Sequence, residues 1–313
     1  MTITQLQYVL AVAEYKNFTL AAEKSFVTQP TLSMQVQKLE DELDVLIFDR
    51  SKKPISITQV GEKIVAQAKN IVNEANRIKD VVDQEKGFVG GEFTLGIIPT
   101  IMPTLLPMFL KNFINKYPKV NLIIKEQNTE TLIKNLKEGH IDAGIAATPL
   151  ESDFIIERPL YYEPFVGYVP KSHKLNSLEK LNPEDLEIDT ILLLKDGHCF
   201  RDGILNICNS TKGHQEEHFQ LQSGSFETLI NLSNEGLGMT LLPYLNTLEL
   251  DTTKKENLRY FNNPSPAREV SLIYHKNELK SQITGALKDV ISSVVRGAIA
   301  FQDVKITSPL NKK

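Results

Sequence analysis

The sequence predicts an α/β protein in three parts, and three patterns carry that prediction. Residues 1–58 hold three short helical patterns and end in a brief β-like segment with a basic tip. Residues 59–89 hold one long run of helical periodicity. From residue 90 to residue 313, short apolar runs alternate with helical stretches, the pattern of strands joined by crossover helices in a parallel sheet.

In the first part, Leu6, Val9, Leu10, Val12 and Ala13 place apolar groups on one side of a helix expected to stop near Lys16-Asn17. Thr19 is expected to cap a second helix that covers Leu20, Ala21, Ala22 and Phe26. After a tight turn at Val27-Thr28, a third helix is expected from Pro30 to Leu43, with Leu32, Val36, Leu39 and Leu43 inward. Its other face shows Gln29, Thr31, Ser33, Met34, Gln35, Gln37 and Lys38. Hydroxyl and amide groups there suit base edges and phosphates better than an ordinary solvent face of Glu and Lys would. Leu46 to Arg50 and Ile55 to Ile57 then read as a hairpin tipped by Ser51-Lys52-Lys53-Pro54. The whole is a winged helix-turn-helix. Its candidate DNA-binding residues are Thr28, Gln29, Pro30, Thr31, Ser33, Gln35, Lys38, Arg50, Lys52 and Lys53. The competing reading is a three-helix module that docks on another protein.

Composition narrows the class. With 41% hydrophobic and 24% charged residues, the chain is an ordinary globular one, and 313 residues suit two domains. No apolar run approaches the roughly 20 residues that span a bilayer, and Met1 to Glu14 has no export-signal pattern, so a cytoplasmic protein with no membrane partner is expected. The formal net charge is −4, which does not by itself announce nucleic acid. Residues 1–58 carry six Lys or Arg against seven Asp or Glu, but the acids gather at Glu40, Asp41, Glu42 and Asp44 and the bases at the wing. A single copy should bind DNA weakly and a dimer better, with a steep salt dependence.

The long helix supplies the dimer surface. Ile64, Val65, Ala68, Ile71, Val72, Ala75, Ile78, Val81 and Val82 form a stripe at three- and four-residue spacing. The alternative is packing against the same chain's C-terminal part. Gly90-Gly91 ends the helix as a hinge.

In the last part, strands are expected at Phe93–Ile98, Val120–Lys125, Ala143–Ala146, Phe165–Val169, Ile191–Leu194, Met239–Leu242 and Val270–Tyr274, with helices at Met102–Lys116, Thr129–Glu138, Phe226–Asn234 and Leu279–Arg296. Ligands in such sheets sit at the carboxyl ends of strands, where Thr100 and Thr129 fall, although a Thr at a helix start is often only a cap. The chain's two cysteines are Cys199 and Cys208. Cys199 has His198, Arg201 and Lys195 as sequence neighbours, and cations stabilise the reactive thiolate. Cys208 lies near Leu205 and Ile207, a setting for a buried, less reactive thiol. Peroxide oxidation of the first and condensation with the second is one use of such a pair; two buried structural thiols is the other. The spacing is not CxxC, and the Cys and His residues form no closed zinc set, so no metal and no cofactor are expected.

Three ordered runs carry a family resemblance: Phe18-Thr19-Leu20-Ala21-Ala22-Glu23, then Thr28-Gln29-Pro30-Thr31-Leu32-Ser33-Met34-Gln35-Val36-Gln37-Lys38-Leu39-Glu40, then Leu46-Ile47-Phe48-Asp49-Arg50. Ile57-Thr58-Gln59-Val60-Gly61 continues them. Together they resemble the LysR-type transcriptional regulators, and the resemblance extends over essentially the whole chain. One departure is Met34, where many members carry Arg; base readout here would lean on Gln29, Thr31, Ser33 and DNA shape. The resemblance implies a periplasmic-binding-protein-like effector domain of two α/β subdomains, one of about 90–162 plus 268–300 and the other of about 163–267. Gly197-His198-Cys199-Phe200-Arg201-Asp202 with Cys208 beyond it, Gly96-Ile97-Ile98-Pro99-Thr100 and Arg268 resemble the peroxide-sensing members of that family.

That closer resemblance implies roles. Cys199 would be the peroxidatic cysteine and Cys208 the resolving one, and Thr100, Thr129, His198 and Arg268 would help bind hydrogen peroxide. The loop 200–207 would refold to let the sulfurs meet. Promoter DNA, RNA polymerase, a thiol reductant and a second copy in a homodimer or homotetramer are the implied partners, and oxidative-stress genes the implied targets. Two alternatives stay open: a regulator that answers a small organic ligand in the cleft, with structural cysteines, and a thiol peroxidase. The winged module argues against an enzyme, and the missing export signal against a solute-binding protein.

Overall fold

The computed structural model describes residues 1–85, 89–195, 199–208, 223–278, 280–299 and 304–310. The chain divides into two compact units, Met1–Lys86 and Gly87–Lys313.

The first unit opens with α1 (Ile3–Tyr15), whose start is a capping box between Thr2 and Gln5 and whose end is Lys16 in the left-handed region at φ 48°. Helix α2 (Phe18–Lys24) is capped by Asn17, not Thr19: the Asn17 carbonyl accepts from the amides of Thr19 and Leu20. It ends before Phe26, which was expected inside it. Phe26 turns at φ 55° and is 95% exposed. Helix α3 (Gln29–Leu43) is capped by the Thr28 hydroxyl and has Pro30 in its first turn, where a missing N–H costs nothing. Leu32, Val36 and Leu39 are fully buried, but Leu43 is exposed and Glu40 takes its inward place. The reason is hydrogen bonding. One Glu40 oxygen accepts from the amides of Ile47 (2.7 Å) and Phe48 (3.0 Å), and the other from Arg50 Nη2 (2.7 Å). A buried carboxylate thus ties α3 to the wing, formed by antiparallel β1 (Phe48–Asp49) and β2 (Ser56–Ile57).

Thr58 begins α4 (Gln59–Glu85): its hydroxyl accepts from the Gly61 amide at 2.9 Å and donates to the Leu46 carbonyl at 2.7 Å. Gly61 must be glycine because a Cβ there would lie 2.2 Å from the Ile47 carbonyl oxygen. Ala68 and Val72 bury against the helix-turn-helix core, with Ile64 and Val65 packed beside them. Of the rest of the expected stripe, Ala75 is half-buried and Ile71, Ile78, Val81 and Val82 are exposed. The helix ends at Glu85, short of the expected 89; Val89 is not helical, and 86–88 lie outside the described residues.

The second unit begins with β3 (Gly91–Ile97), α5 (Met102–Lys116), β4 (Val120–Glu126), α6 (Thr129–Lys137) and β5 (Ala143–Thr148). These strands are parallel, as expected. The expectation of a parallel sheet fails beyond them. Strand β6 (Ile155–Tyr168) is 14 residues long, and β10 (Ser265–His275) lies antiparallel to both β5 and β6. Between them in sequence come β7 (Lys180–Leu181), α7 (Cys199–Ile207), α8 (Phe226–Asn234), β8 (Thr240–Pro243), α9 (Tyr244–Leu248), α10 (Thr252–Lys255) and β9 (Leu258–Phe261). Helix α11 (Ser281–Val295) and β11 (Val304–Ile306) close the described chain. The sheet runs β4-β3-β5-β10-β6-β9-β7, with β11 on β10 and β8 on β6. A mixed sheet results because one late strand returns between two earlier ones.

Two apolar cores share this frame. One gathers β3–β5, α5, α11 and most of β10; the other gathers the end of β6, α7, α8 and β8. Two expectations are corrected here. Ile191–Leu194 is not a strand, since it makes a single bridge, Ile191 to Met239, before the chain leaves the sheet. The segment 200–207 is not a loop but helix α7, because Cys199, Phe200, Gly203, Ile204 and Ile207 form one buried helical face.

Glu40→Ala leaves two amides and a guanidinium without their acceptor. It should lower the unfolding free energy of the helix-turn-helix unit by about 2–3 kcal/mol, read as a lower denaturant midpoint.

Candidate functional site

Cys199 is the first residue of α7, with 8% exposure. The Thr129 side chain, at the start of α6, and the Ala147 backbone, on β5, act on its thiol and favour the charged form. Among the described residues, the cation acting on it is Arg268 from β10. Of the basic sequence neighbours expected to supply charge, Arg201 donates to the Leu194 carbonyl at 3.2 Å. His198 lies outside the described residues. Burial pushes the Cys199 thiol above its ordinary range; Arg268, Thr129 and Ala147 pull it partly back, while Asp202 opposes them. Its place at the positive end of a helix acts in the same direction as Arg268.

Arg268 is itself built into the sheet. It faces Glu163 across the β10–β6 register, and both are buried. Its Nε and Nη2 donate to one Glu163 oxygen at 2.9 and 2.7 Å. Nη1 donates to the Thr100 hydroxyl at 3.0 Å and Nη2 to the Thr100 carbonyl at 3.1 Å. The other Glu163 oxygen accepts from the Leu245 amide at 2.9 Å. The guanidinium lies 5.3 Å from the Phe200 ring centroid, next to the cysteine. Tyr161, two residues from Glu163 on the same face of β6, buries a hydroxyl with no hydrogen-bond partner among the described residues. Burial first, then the Glu163 charge, holds that hydroxyl well above the usual tyrosine range.

Of the expected peroxide residues, Thr129 and Arg268 therefore act on Cys199, and Thr100 is bonded to Arg268. Sequence reasoning missed Glu163, Tyr161 and Phe200. A carboxylate between two buried strands was the available signal, but β6 was recognised only from Phe165 onward.

Cys208 follows the last residue of α7 and belongs to the other core; burial raises its thiol to about 11. Both cysteines are free thiols. Nine helical steps separate their Cα atoms by about 13 Å. A disulfide holds Cα atoms within about 7 Å, so the two sulfurs cannot bond while α7 is intact. One more contact bears on that helix: Asn206 Nδ2 donates to the carbonyls of Ser308 (2.9 Å) and Leu310 (2.7 Å), which follow β11.

In the first unit, Gln29, Pro30, Thr31, Lys38, Lys52 and Lys53 are exposed as expected. Others are already engaged. The Thr28 and Thr31 hydroxyls bond each other at 2.8 Å. Ser33 lies 3.5 Å from Arg50, and the Gln35 carbonyl accepts from Gln5 at 3.3 Å. Arg50 is held by Glu40 and sits 4.9 Å from the Phe18 ring centroid.

Comparison with known proteins finds one family in both units. Residues 3–62 match the bacterial regulatory helix-turn-helix protein model of the lysR family, and residues 86–296 match the LysR substrate binding domain. The chain belongs to the LysR family of bacterial transcriptional regulators. It is 34% identical to the hydrogen peroxide-inducible genes activator of Pectobacterium carotovorum subsp. carotovorum over 276 residues, covering 88% of this chain and 90% of that protein. It is equally 34% identical to the DNA-binding transcriptional dual regulator OxyR of Escherichia coli K12, covering 88% of this chain and 89% of that one. Among solved structures, a cysteine-to-aspartate variant of full-length Pseudomonas aeruginosa OxyR matches with TM-score 0.74 and 34% identity, over 93% of this chain and 98% of that one. A hydrogen-peroxide-bound cysteine mutant of Corynebacterium glutamicum OxyR matches with TM-score 0.64 and 29% identity, over 96% of this chain and 94% of that one.

Two outcomes are expected. Arg268→Met strands the buried Glu163 carboxylate, so it should cost about 3–5 kcal/mol in a denaturant titration. In the folded reduced protein, the rate of iodoacetamide alkylation should climb with pH above the ordinary cysteine range at Cys199, and at Cys208 only toward pH 11, as burial raises both thiols. Peptide mass spectrometry resolves the two, and denatured protein should show no such separation.

Proposed function

We propose that this LysR-family regulator senses hydrogen peroxide through Cys199 and reports it by forming a Cys199–Cys208 disulfide. The observation that carries the reading is the placement of two free thiols at opposite ends of one short helix. One faces Thr129 and Arg268; the other is packed in a separate apolar core. The names of the relatives and the peroxide-bound neighbour support it.

The chemistry follows from the groups present. A neutral peroxide needs donors and acceptors at both oxygens, and Thr129, Thr100 and Arg268 supply hydroxyl and N–H groups around the sulfur. The Cys199 thiolate attacks one oxygen and the O–O bond breaks. The departing hydroxide takes a proton and leaves as water, and the sulfur becomes a sulfenic acid. The Cys208 sulfur then attacks it, expelling a second water and forming the disulfide. One peroxide is reduced and two thiols are oxidised. The second step requires α7 to unwind, so the helix is the two-state element of the switch.

The remaining assignments extend the same reading. The helix-turn-helix unit binds promoter DNA, with Gln29, Pro30, Thr31, Lys38, Lys52 and Lys53 nearest to it. The exposed Ile71, Ile78, Val81 and Val82 stripe of α4 pairs with a second copy. Oxidation rearranges a tetramer on DNA and alters its contact with RNA polymerase, and a cytoplasmic thiol reductant resets it. The protein is a stoichiometric sensor, not a peroxidase.

The test is a near-stoichiometric pulse of hydrogen peroxide on the reduced full-length protein. Wild type should lose both thiols and yield a peptide joining Cys199 to Cys208. Cys199→Ser should retain DNA binding and lose the peroxide response; Cys208→Ser should stop at a dimedone-reactive sulfenic acid. Survival of both wild-type thiols would overturn the reading. A Cys199→Ser protein that still answered a small organic molecule would favour cleft-ligand sensing.

A further inference from the structure

Helix α3 buries Leu32, Val36, Leu39 and Glu40. At 100° per residue, the line opposite that stripe runs through Met34, with Asp41, Lys38 and Pro30 within about 45° of it. Met34 lies about 200° around the helix from Leu32, and it is 60% exposed. The hydroxyl and amide groups beside this crest are partly spent: Thr31 bonds Thr28, Ser33 meets Arg50, and Gln35 accepts from Gln5. Helix α3 has one cation, Lys38, a full turn further along. The crest's amino-terminal half therefore presents a long unbranched thioether flanked by a proline, with no strong donor at its centre.

In a major groove this chemistry discriminates in one direction. A guanine edge offers two acceptors, N7 and O6, and rewards Arg or Lys; a methionine cannot pair with them and would leave them dehydrated. A thymine edge offers a C5-methyl group, an apolar surface that a methionine can cover. Resting on the operator-binding reading above, we infer that Met34 is a specificity-determining residue that covers the methyl group of one thymine in each half-site. The site should thus contain a thymine selected for its methyl group rather than for its hydrogen-bonding edge.

The experiment begins with selection of binding sequences for the reduced full-length protein from a random duplex DNA library. Each thymine of one selected half-site is then replaced by deoxyuridine, which removes only the methyl group. Affinities of wild type and Met34→Ala are compared by fluorescence anisotropy at fixed salt. At one thymine position, wild type should bind the deoxyuridine duplex about fourfold more weakly, the factor expected for one buried methyl. Met34→Ala should bind the two duplexes equally there, yet respond like wild type at every other thymine. Because Met34 is exposed, the variant should keep the wild-type melting temperature and its binding to unrelated DNA. If no thymine shows a methyl effect that disappears in Met34→Ala, the assignment is overturned. If no sequence is enriched at all, the operator-binding reading itself fails.

Discussion

The buried ion pair between Arg268 and Glu163 is the interaction on which the second unit depends. Strand β6 contributes to both apolar cores and its antiparallel neighbour β10 to the first, and this pair links the two strands. A guanidinium and a carboxylate buried this deeply are tolerable only when their hydrogen-bonding groups are well occupied. Here Glu163 takes Arg268 and the Leu245 amide, while Arg268 takes Glu163 and both oxygens of Thr100. The pair thereby fixes the turn after β3, the start of α9 and the charge beside Cys199 in one arrangement. A cation held this way stays aimed at the sulfur without a mobile side chain having to find it.

The two cysteines divide their labour by environment. Cys199 has a cation, a hydroxyl and a helix amino terminus for company; Cys208 has hydrocarbon. The helix between them is marginal by construction. It is a short helix with Gly203 inside it, and short helices hold through packing of one face rather than intrinsic propensity. Phe200 is the center of that packing, in contact with Phe165 and Phe226 rings at 5.1 and 4.9 Å. The packing of α7 therefore rests on the same aromatic cluster that abuts Arg268.

The sequence was most readable where periodicity and motif agreed. The winged module, α5, α6 and α8 follow from apolar spacing and caps, and the three ordered runs carry the family. The two thiols were visible from residue type, whereas their pairing came only with the family resemblance. What was hidden depends on contacts distant in sequence. Arg268 and Glu163 are 105 residues apart, and nothing local to Cys199 reveals which cation faces it. Arg201, the nearer basic residue, turns to a carbonyl. Glu40 looked like one of a run of acids and is instead a buried clamp, whereas Leu43 looked like core and is exposed. Helix α7 was mistaken for a loop because its Gly203 and mixed polarity mask a face completed only by Phe165 and Phe226. The parallel pattern misled for β10, since strand direction is set by the path of the chain and not by composition.

Asn206 joins the switch helix to the carbonyls of Ser308 and Leu310, at the far end of the chain. Strand β11 anchors that segment to β10 on one side, so Asn206 is its hold on the other. If α7 unwinds on oxidation as proposed above, this hold is lost while the β11 anchor can remain. On that reading, the segment 304–310 is a brace of the reduced state, in series with the redox reaction. Residues added or removed there would shift the peroxide threshold without touching either sulfur.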